Sequence, residues 1–314
     1  MSFKVPHTAL ARLETQVQDA LRTPDDTPRT GARSTRGTHG AREGSTLDVL
    51  GYGEITLVLR LRTPEGSFAC KRLPAFPDRD RFDRYRRSLD EYLRLLTERG
   101  LTVAPTEVWH TPGPSGRVVA YCVQRELPEE RLCSRLLHTR DETWAKNFFA
   151  RFLDAVDAAV HPGLGLDAQA SNWMEVDGEL TYLDVTTPLM RDARGRERLD
   201  VRLFFTSLPW ILRDAVRVSM SRSIFDKFYE TRGVLLDFLG NLHKERLGAL
   251  VPAFLEQANA RLEKPLTVDE VTAYYRGDAR MWELIQRLRA ADRFWHRTVR
   301  RKPYPFLLPP PVDR

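Results

Sequence analysis

The spacing of apolar residues in the first half of the chain predicts two helices and a β-hairpin. Residues 8–21 carry apolar side chains at intervals of three and four, which is typical of a short amphipathic helix. Two β-rich runs, Ile55–Leu61 and Ser67–Leu73, are separated by turn residues and predict a hairpin. From Asp80 to Arg99 the apolar spacing is helical again, and Gly100 favours a C-terminal stop.

The middle of the chain predicts more strands and a tighter hairpin. The next expected elements are two strands and a helix, at Thr106–His110, Arg117–Arg125 and Glu142–Val160. Beyond them, the short runs Trp173–Val176 and Leu180–Leu183 flank Asp177-Gly178. This dipeptide favours the type I′ turn of a two-residue hairpin.

Beyond Leu199 the apolar spacing is helical almost throughout. It predicts helices at 201–218, 224–242, 247–262 and 279–299. A chain of 314 residues is longer than one core usually holds, so we expect two lobes that share a cleft. We therefore expect an α+β fold with a β-rich N-terminal lobe and a mainly helical C-terminal lobe. The expected division is an N-terminal helix (1–22), a flexible linker (23–46), the N-lobe (47–125), the C-lobe (126–302) and a Pro-rich tail (303–314).

Composition and charge narrow the function classes. The chain is 42% hydrophobic and 29% charged, which is ordinary for a globular protein. We see neither a long apolar membrane segment nor a signal-peptide core, so we expect a cytoplasmic protein with no membrane partner. Three cysteines without metal-ligand spacing argue against a disulfide framework or a zinc site. The net charge of +6 comes from dispersed arginines and favours anionic partners, for which nucleotide phosphates suffice.

Glycines and a lysine in the first half are candidates for binding phosphate. Gly51-Tyr52-Gly53 lies at a strand edge, where missing Cβ atoms let the backbone approach phosphate oxygens, although a plain tight turn has the same pattern. Lys71 follows an apolar run, and a buried ammonium there needs an anionic partner. Strand alternation that points Lys71 to solvent is the alternative. Asp90 or Glu91 of the following helix can supply the carboxylate, and we choose Glu91.

Three polar residues around the second hairpin form a candidate metal and catalytic site. Asp167 and Asn172 lie in one loop, and Asp184 ends the second strand of the hairpin. Because a hairpin brings its outer ends together, we expect Asn172 and Asp184 side by side. Two such oxygen ligands suit Mg²⁺. Asp167, outside that pair, is placed to accept a hydroxyl proton. Turn formation or capping is the alternative role for each residue.

In their order along the chain, these motifs resemble those of the protein-kinase-like superfamily, which includes protein kinases and small-molecule phosphotransferases such as aminoglycoside kinases. Gly51–Val58 resembles the loop G-x-G-x-x-G-x-V, and Phe68–Lys71 resembles V-A-I-K. Asp167 and Asn172 match D-x-x-x-x-N, and Asp184 corresponds in place to the aspartate of D-F-G.

The resemblance implies a bilobal protein-kinase-like fold, with ATP and Mg²⁺ as cofactors. The implied roles are phosphate binding for Gly51, Gly53 and Lys71, an ion pair with Lys71 for Glu91, base catalysis for Asp167, and Mg²⁺ binding for Asn172 and Asp184. By position alone, Tyr121–Leu127 resembles the segment between lobes that reads adenine, which makes Gln124 and Glu126 candidate nucleotide-binding residues.

The chain also departs from the superfamily. Gly165-Leu166 replaces the usual His-Arg or His-Gly before the catalytic aspartate, and Thr56 and Thr186 replace two motif glycines. Gln169 stands where relatives carry a lysine or histidine that contacts phosphate, so we include it in the catalytic set. We find no A-P-E motif, which disfavours an ordinary protein kinase.

Two hypotheses follow for the function. The first is an ATP- and Mg²⁺-dependent kinase that phosphorylates a hydroxyl of a small molecule or peptide. The alternative is a catalytically inactive pseudokinase that binds nucleotide or serves as a scaffold. A nucleic-acid partner is not expected, because the basic and aromatic run Arg293–Lys302 fits an ordinary amphipathic helix.

Overall fold

The computed structural model describes Phe3 and residues 5–22, 47–52, 57–200 and 225–301. In these ranges an antiparallel sheet comes first and a mainly helical region follows, so the predicted α+β class is confirmed. The predicted helix at 201–218, the linker at 23–46 and the tail at 303–314 lie outside the described residues.

Most of the described strands form one antiparallel sheet. In chain order the strands are β1 (Val49–Tyr52), β2 (Leu57–Thr63), β3 (Gly66–Arg72), β4 (Thr102–Val103), β5 (Thr106–Pro112), β6 (Val118–Arg125), β7 (Trp173–Val176) and β8 (Glu179–Tyr182). Five of them pair in the order β1-β2-β3-β6-β5, and the others form a small sheet, β4-β8-β7. The predicted first hairpin is β2 and β3, in which Thr63 pairs with Gly66.

The helices of the described residues are α1 (His7–Arg22), α2 (Arg79–Glu98), α3 (Cys133–Thr139), α4 (Glu142–Ala159), α5 (Thr231–Lys244), α6 (Val251–Asn259) and α7 (Val268–Phe294). Most of them lie where the apolar spacing predicts a helix, but α3 was not predicted, and α7 begins at Val268 instead of at the predicted residue 279. Local signals set where α2 and α4 begin: Asp78 accepts from the backbone N–H of Arg81, and Asp141 accepts from that of Trp144. The predicted helix at 224–242 begins later, at Thr231, because Lys227–Tyr229 form a 3₁₀ turn.

The two faces of the main sheet pack against different helices. Along β6, Val119 and Tyr121 belong to a core shared with α1, whereas Ala120 and Cys122 belong to a larger core shared with α2 and the helical region. Helix α2 buries five side chains in that larger core: Phe82, Tyr85, Leu89, Tyr92 and Leu96. It therefore shares one core with the sheet and with the later helices.

The expectations about membranes and cysteines can be compared with the described residues. None of the helices in these ranges combines the length and the apolar character needed to cross a bilayer. Cys70, Cys122 and Cys133 are buried free thiols, as expected. Burial raises the pKa of each thiol to about 12, so they stay protonated and act as small apolar side chains.

Candidate functional site

Lys71 faces the helical region. Its neighbour Cys70 packs in the α1 core, so strand alternation directs Lys71 to the opposite face of the sheet. There its Nζ donates to Oδ1 of Asp184 over 2.8 Å. The Lys71 side chain is 20% exposed and that of Asp184 is 29% exposed, so the pair is largely shielded but can be reached by solvent. The alternative that Lys71 points to solvent is therefore wrong.

The Asp184 carboxylate is held in its ionised form. Burial alone would raise its pKa, but the Lys71 ammonium and hydrogen bonds from Thr186 outweigh burial, and the pKa of the carboxyl lies below its ordinary value of 3.8. At neutral pH the site therefore presents a carboxylate, which is the form that binds a metal ion.

Glu91 does not pair with Lys71, and the sequence prediction is corrected here. Glu91 Oε1 accepts from Nη1 of Arg198 over 2.8 Å, and its Oε2 accepts from Nη2 of the same guanidinium. This two-point geometry suits a carboxylate better than a single ammonium does. Asp90, the other acid considered on α2, is exposed to solvent.

The second hairpin forms as predicted and carries two of the candidate residues. Val176 pairs with Glu179, and Asp177 (φ 51°) and Gly178 (φ 86°) both have the positive φ of a type I′ turn. The backbone N–H of Leu183 donates to the carbonyl of Asn172 over 2.9 Å, which extends the pairing by one step. Leu183 therefore lies opposite Asn172, and Asp184 follows Leu183 directly in the chain.

The amide of Asn172 is oriented by the backbone of Asp167. Asn172 Nδ2 donates to the Asp167 carbonyl over 2.9 Å. A carbonyl oxygen only accepts, so the NH₂ end must face it and Oδ1 points the other way. An amide oxygen and a carboxylate are hard oxygen donors, so Asn172 and Asp184 fit Mg²⁺. In the described residues no group of three or more His, Cys, Asp or Glu side chains is arranged to hold a metal ion.

The loop before Asp167 is held by hydrogen bonds from two other parts of the chain. Tyr92 of α2 donates from its hydroxyl to the carbonyl of Gly165 over 3.0 Å. The backbone N–H of Leu166 donates to the carbonyl of Phe228 over 3.0 Å. A Cβ on Gly165 would lie 3.0 Å from that same carbonyl oxygen, which explains why glycine occupies the position.

Asp167 is bonded through both its backbone and its side chain. Its carbonyl accepts from the Tyr182 hydroxyl over 3.0 Å as well as from Asn172. Its Oδ1 accepts from Nε2 of Gln169 over 3.2 Å. Gln169 therefore restrains the carboxylate that the sequence assigns as the base.

Side chains at the end of β6 form hydrogen bonds and an ion pair within the protein. Gln124 donates from Nε2 to the Leu183 carbonyl over 2.9 Å, which ties the sheet to the second hairpin. Glu126 binds the guanidinium of Arg60, and its backbone N–H donates to the Ser67 carbonyl over 2.9 Å. These groups are engaged within the protein, and nucleotide binding by Gln124 or Glu126 stays a prediction.

Gly51 and Gly53 are the two glycines that the sequence predicts to bind phosphate. Gly51 lies in β1 opposite Val58, and a Cβ added there would meet no atom of the described residues within 4 Å. Neither packing nor a positive φ requires glycine at this position. Gly53 lies outside the described residues.

Comparison with models of known protein families assigns the chain to a family. The sequence model of a family of unknown function, DUF6206, matches residues 33–293. The chain belongs to the DUF6206 family. A search of curated proteins gives no match. The matched range of this DUF6206 protein contains every candidate site residue, from Gly51 to Asp184.

Two residues of the site were not predicted as members of it. Thr186 donates from Oγ1 to Oδ1 of Asp184 over 2.9 Å, and its carbonyl accepts from the Tyr85 hydroxyl over 2.9 Å. The sequence identified Tyr85 only as part of the apolar face of α2. A buried tyrosine hydroxyl needs a hydrogen-bond partner. A tyrosine on the apolar face of α2 is therefore the sequence signal that could have identified Tyr85.

A cavity of about 600 Å³ lies at the far end of the second hairpin. Asp177 and Gly178 of the turn line it together with Arg131 and Arg140. The strands of the hairpin separate it from Asn172 and Asp184, so it is distinct from the site described above.

Proposed function

We propose that this DUF6206 protein is an ATP- and Mg²⁺-dependent phosphotransferase with a protein-kinase-like fold, which phosphorylates a hydroxyl group of a small molecule or peptide. The observation that carries the proposal is the ion pair between Lys71 on the sheet and Asp184 after the hairpin. Asn172, which donates to the Asp167 carbonyl, lies across the same hairpin. A cation, two oxygen ligands for a metal ion and a base are the groups that phosphoryl transfer needs, and these residue types could supply them.

Lys71 would bind phosphate in place of Asp184. Its ammonium has three donors, and Asp184 Oδ1 takes one of them. A phosphate oxygen is an equivalent anionic acceptor, so Lys71 can turn from the carboxylate to the nucleotide without losing a charged partner. Such an exchange also frees Asp184 to bind metal.

Asn172 and Asp184 would hold the metal ion through Oδ1 of the amide and through the carboxylate. Bound Mg²⁺ offsets the negative charge of the phosphates during transfer. The protein fixes both ligands in advance, since the Asp167 carbonyl orients the amide and Thr186 restrains the carboxylate.

Asp167 would act as the base toward the acceptor hydroxyl. The hydroxyl proton passes to the Asp167 carboxylate as the hydroxyl oxygen forms a bond to the γ-phosphorus. The bond from that phosphorus to the β–γ bridging oxygen breaks, and ADP leaves with the electron pair. Gln169 keeps the carboxylate oriented through its hydrogen bond to Oδ1.

The pairing of Glu91 favours a second candidate function, a pseudokinase that binds nucleotide without transfer. In this structure Glu91 binds Arg198, so Lys71 lacks a carboxylate from α2 to hold it once it leaves Asp184. A lysine without that support would bind phosphate but position it poorly for transfer.

Nucleotide binding and ADP formation, measured separately, distinguish the candidates. We expect wild type to bind ATP with Mg²⁺ and to form ADP in the presence of a hydroxyl acceptor from a panel of small molecules and peptides. Asp167→Asn should retain binding and lower turnover at least about 100-fold, because it removes the base. Asp90→Asn, which changes an exposed acid on α2, is the matched control and should behave as wild type.

Other results would change the conclusion. Binding without turnover by wild type, for every acceptor and for water, would support the pseudokinase. If wild type does not bind ATP with or without Mg²⁺, both candidate functions are wrong.

A further inference from the structure

Three hydrogen-bond donors converge on one oxygen of the Asp184 carboxylate. Oδ1 accepts from Lys71 Nζ at 2.8 Å, from Thr186 Oγ1 at 2.9 Å and from the Thr186 backbone N–H at 3.4 Å. Within the described part of the chain, the hydrogen bonds to this carboxylate all end on Oδ1. The other oxygen, Oδ2, is therefore the end that can bind a metal ion.

Thr186 is itself held from behind. It is 4% exposed, and its carbonyl accepts from the Tyr85 hydroxyl over 2.9 Å. Tyr85 is 4% exposed and lies on the face of α2 that packs in the larger core. Its hydroxyl also lies 3.7 Å from Sγ of Cys122, the residue paired with Lys71 across the sheet. Tyr85 therefore links α2, the sheet and the segment after the hairpin.

From these contacts we infer that Thr186 is a positioning residue for the metal ligand Asp184, and that Tyr85 couples helix α2 to it. The inference rests on the proposed function, since it assigns Asp184 to Mg²⁺. It gives α2 a connection to the site that does not pass through Glu91, which binds Arg198 instead.

The geometry shows why a threonine serves here. When Lys71 moves to a phosphate oxygen, Oδ1 loses its strongest donor, and the two donors of Thr186 remain. They keep Oδ1 satisfied and the carboxylate from rotating, so Oδ2 stays directed at the ion. Glycine at this position would supply only the backbone N–H and would leave the chain freer to turn.

The test compares ATP binding with Mg²⁺ and with EDTA, by calorimetry, in wild type and four variants. Thr186→Val keeps the shape of the side chain and removes the hydroxyl, and Thr186→Ser restores it. The control is Thr97→Val, which removes an exposed threonine hydroxyl from α2. We expect Thr186→Val to bind Mg²⁺-ATP about tenfold more weakly, because loss of such a supporting partner commonly costs about 10- to 100-fold in metal affinity.

The same variants should bind ATP equally in EDTA, and Thr186→Ser should recover most of the Mg²⁺ effect. A simple loss of folding would weaken both conditions and would not be rescued by serine, so thermal unfolding is measured alongside. Tyr85→Phe, which keeps the buried ring, should weaken Mg²⁺-ATP in the same direction.

The outcomes separate this inference from the proposed function. If wild type binds ATP more tightly with Mg²⁺ but Thr186→Val matches it, the positioning role is wrong and the proposed function stands. If Mg²⁺ does not change ATP binding by wild type, the metal site and this inference both fail.

Discussion

Lys71 and Asp184 are 113 positions apart in the chain, yet the ammonium Nζ and the carboxylate Oδ1 lie 2.8 Å apart. The contact joins β3 of the main sheet to the segment that follows β8 of the small sheet. Tyr85 of α2 contacts a neighbour of each residue, Cys122 beside Lys71 and Thr186 after Asp184. The ion pair therefore ties the main sheet to the segment that follows the second hairpin.

The first prediction concerns the stability that this pair provides. Lys71→Met should lower the free energy of unfolding by about 1–3 kcal/mol, because it leaves a shielded carboxylate without its cation. Urea unfolding at neutral pH measures the change. Lys146→Met is the control, since the Lys146 pair with Glu142 is exposed, and it should leave stability unchanged. Equal effects of the two changes would contradict the assigned role of Lys71.

A second prediction concerns pH. In the folded protein the pKa of Asp184 lies below its ordinary value of 3.8. Ionised Asp184 therefore stabilises the fold at any pH above the pKa of the unfolded state, and this contribution is lost as the pH falls through the pKa of the folded state. The difference in free energy of unfolding between wild type and Asp184→Asn should be constant near neutral pH and should shrink below about pH 4. Denaturant unfolding across this range measures it. A difference that grows on acidification has the wrong sign for this assignment.

The fold was predictable where local pattern decides structure. The turn at Asp177-Gly178 needs two positive φ angles, and this dipeptide supplies them at low cost, so the hairpin followed from sequence. Helix α2 followed from the spacing of its buried side chains. By contrast, the 3₁₀ turn at Lys227–Tyr229 interrupts an apolar pattern that looks continuous, because its form depends on tertiary contacts such as Lys227 with Asp237.

The sequence predicted which residues belong to the candidate site better than it predicted which of them contact each other. Residue type and order pointed to Lys71, Asn172 and Asp184, but the choice of Glu91 as partner of Lys71 was wrong. Sequence shows that an ammonium needs a carboxylate, and it does not show which of several acids is nearest in space. The role of Thr186 was missed for the same reason, since its link to Tyr85 spans 101 positions.

Helix α1 gives a third prediction, through a buried acid. Glu14 is 8% exposed and binds the Arg72 guanidinium through both oxygens, at 2.9 Å each, and the Tyr121 hydroxyl at 2.6 Å. Glu14→Ala should therefore destabilise the protein by about 3–5 kcal/mol, since it leaves an arginine whose side chain is only 16% exposed without its partner. Chemical denaturation measures this loss. Thr15→Ala, at the exposed neighbouring position, is the control, and a comparable loss there would show that Glu14 is not special.

The fourth prediction tests how the Asp167 loop is held. In Gly165→Ala the new Cβ would lie 3.0 Å from the Phe228 carbonyl oxygen and 3.1 Å from Cβ of Leu189. Both neighbours are buried or part of the backbone, so the loop must shift, and we expect a loss of about 1–3 kcal/mol. Under the proposed function the shift displaces the base, so kcat should fall while KM for ATP changes little. Steady-state kinetics and denaturant unfolding measure the two effects.

The matched glycine for that experiment is Gly277 in α7. It is exposed, its φ is not positive, and a Cβ there would meet no atom within 4 Å in the part of the chain that the structure describes. Gly277→Ala should stabilise the helix by up to about 1 kcal/mol, because alanine is the better helix former, and it should leave kinetics unchanged. If Gly165→Ala were also neutral in stability, the close contact with the Phe228 carbonyl would not constrain the loop. If it lowered stability but left kcat intact, Gly165 would support the fold without positioning Asp167.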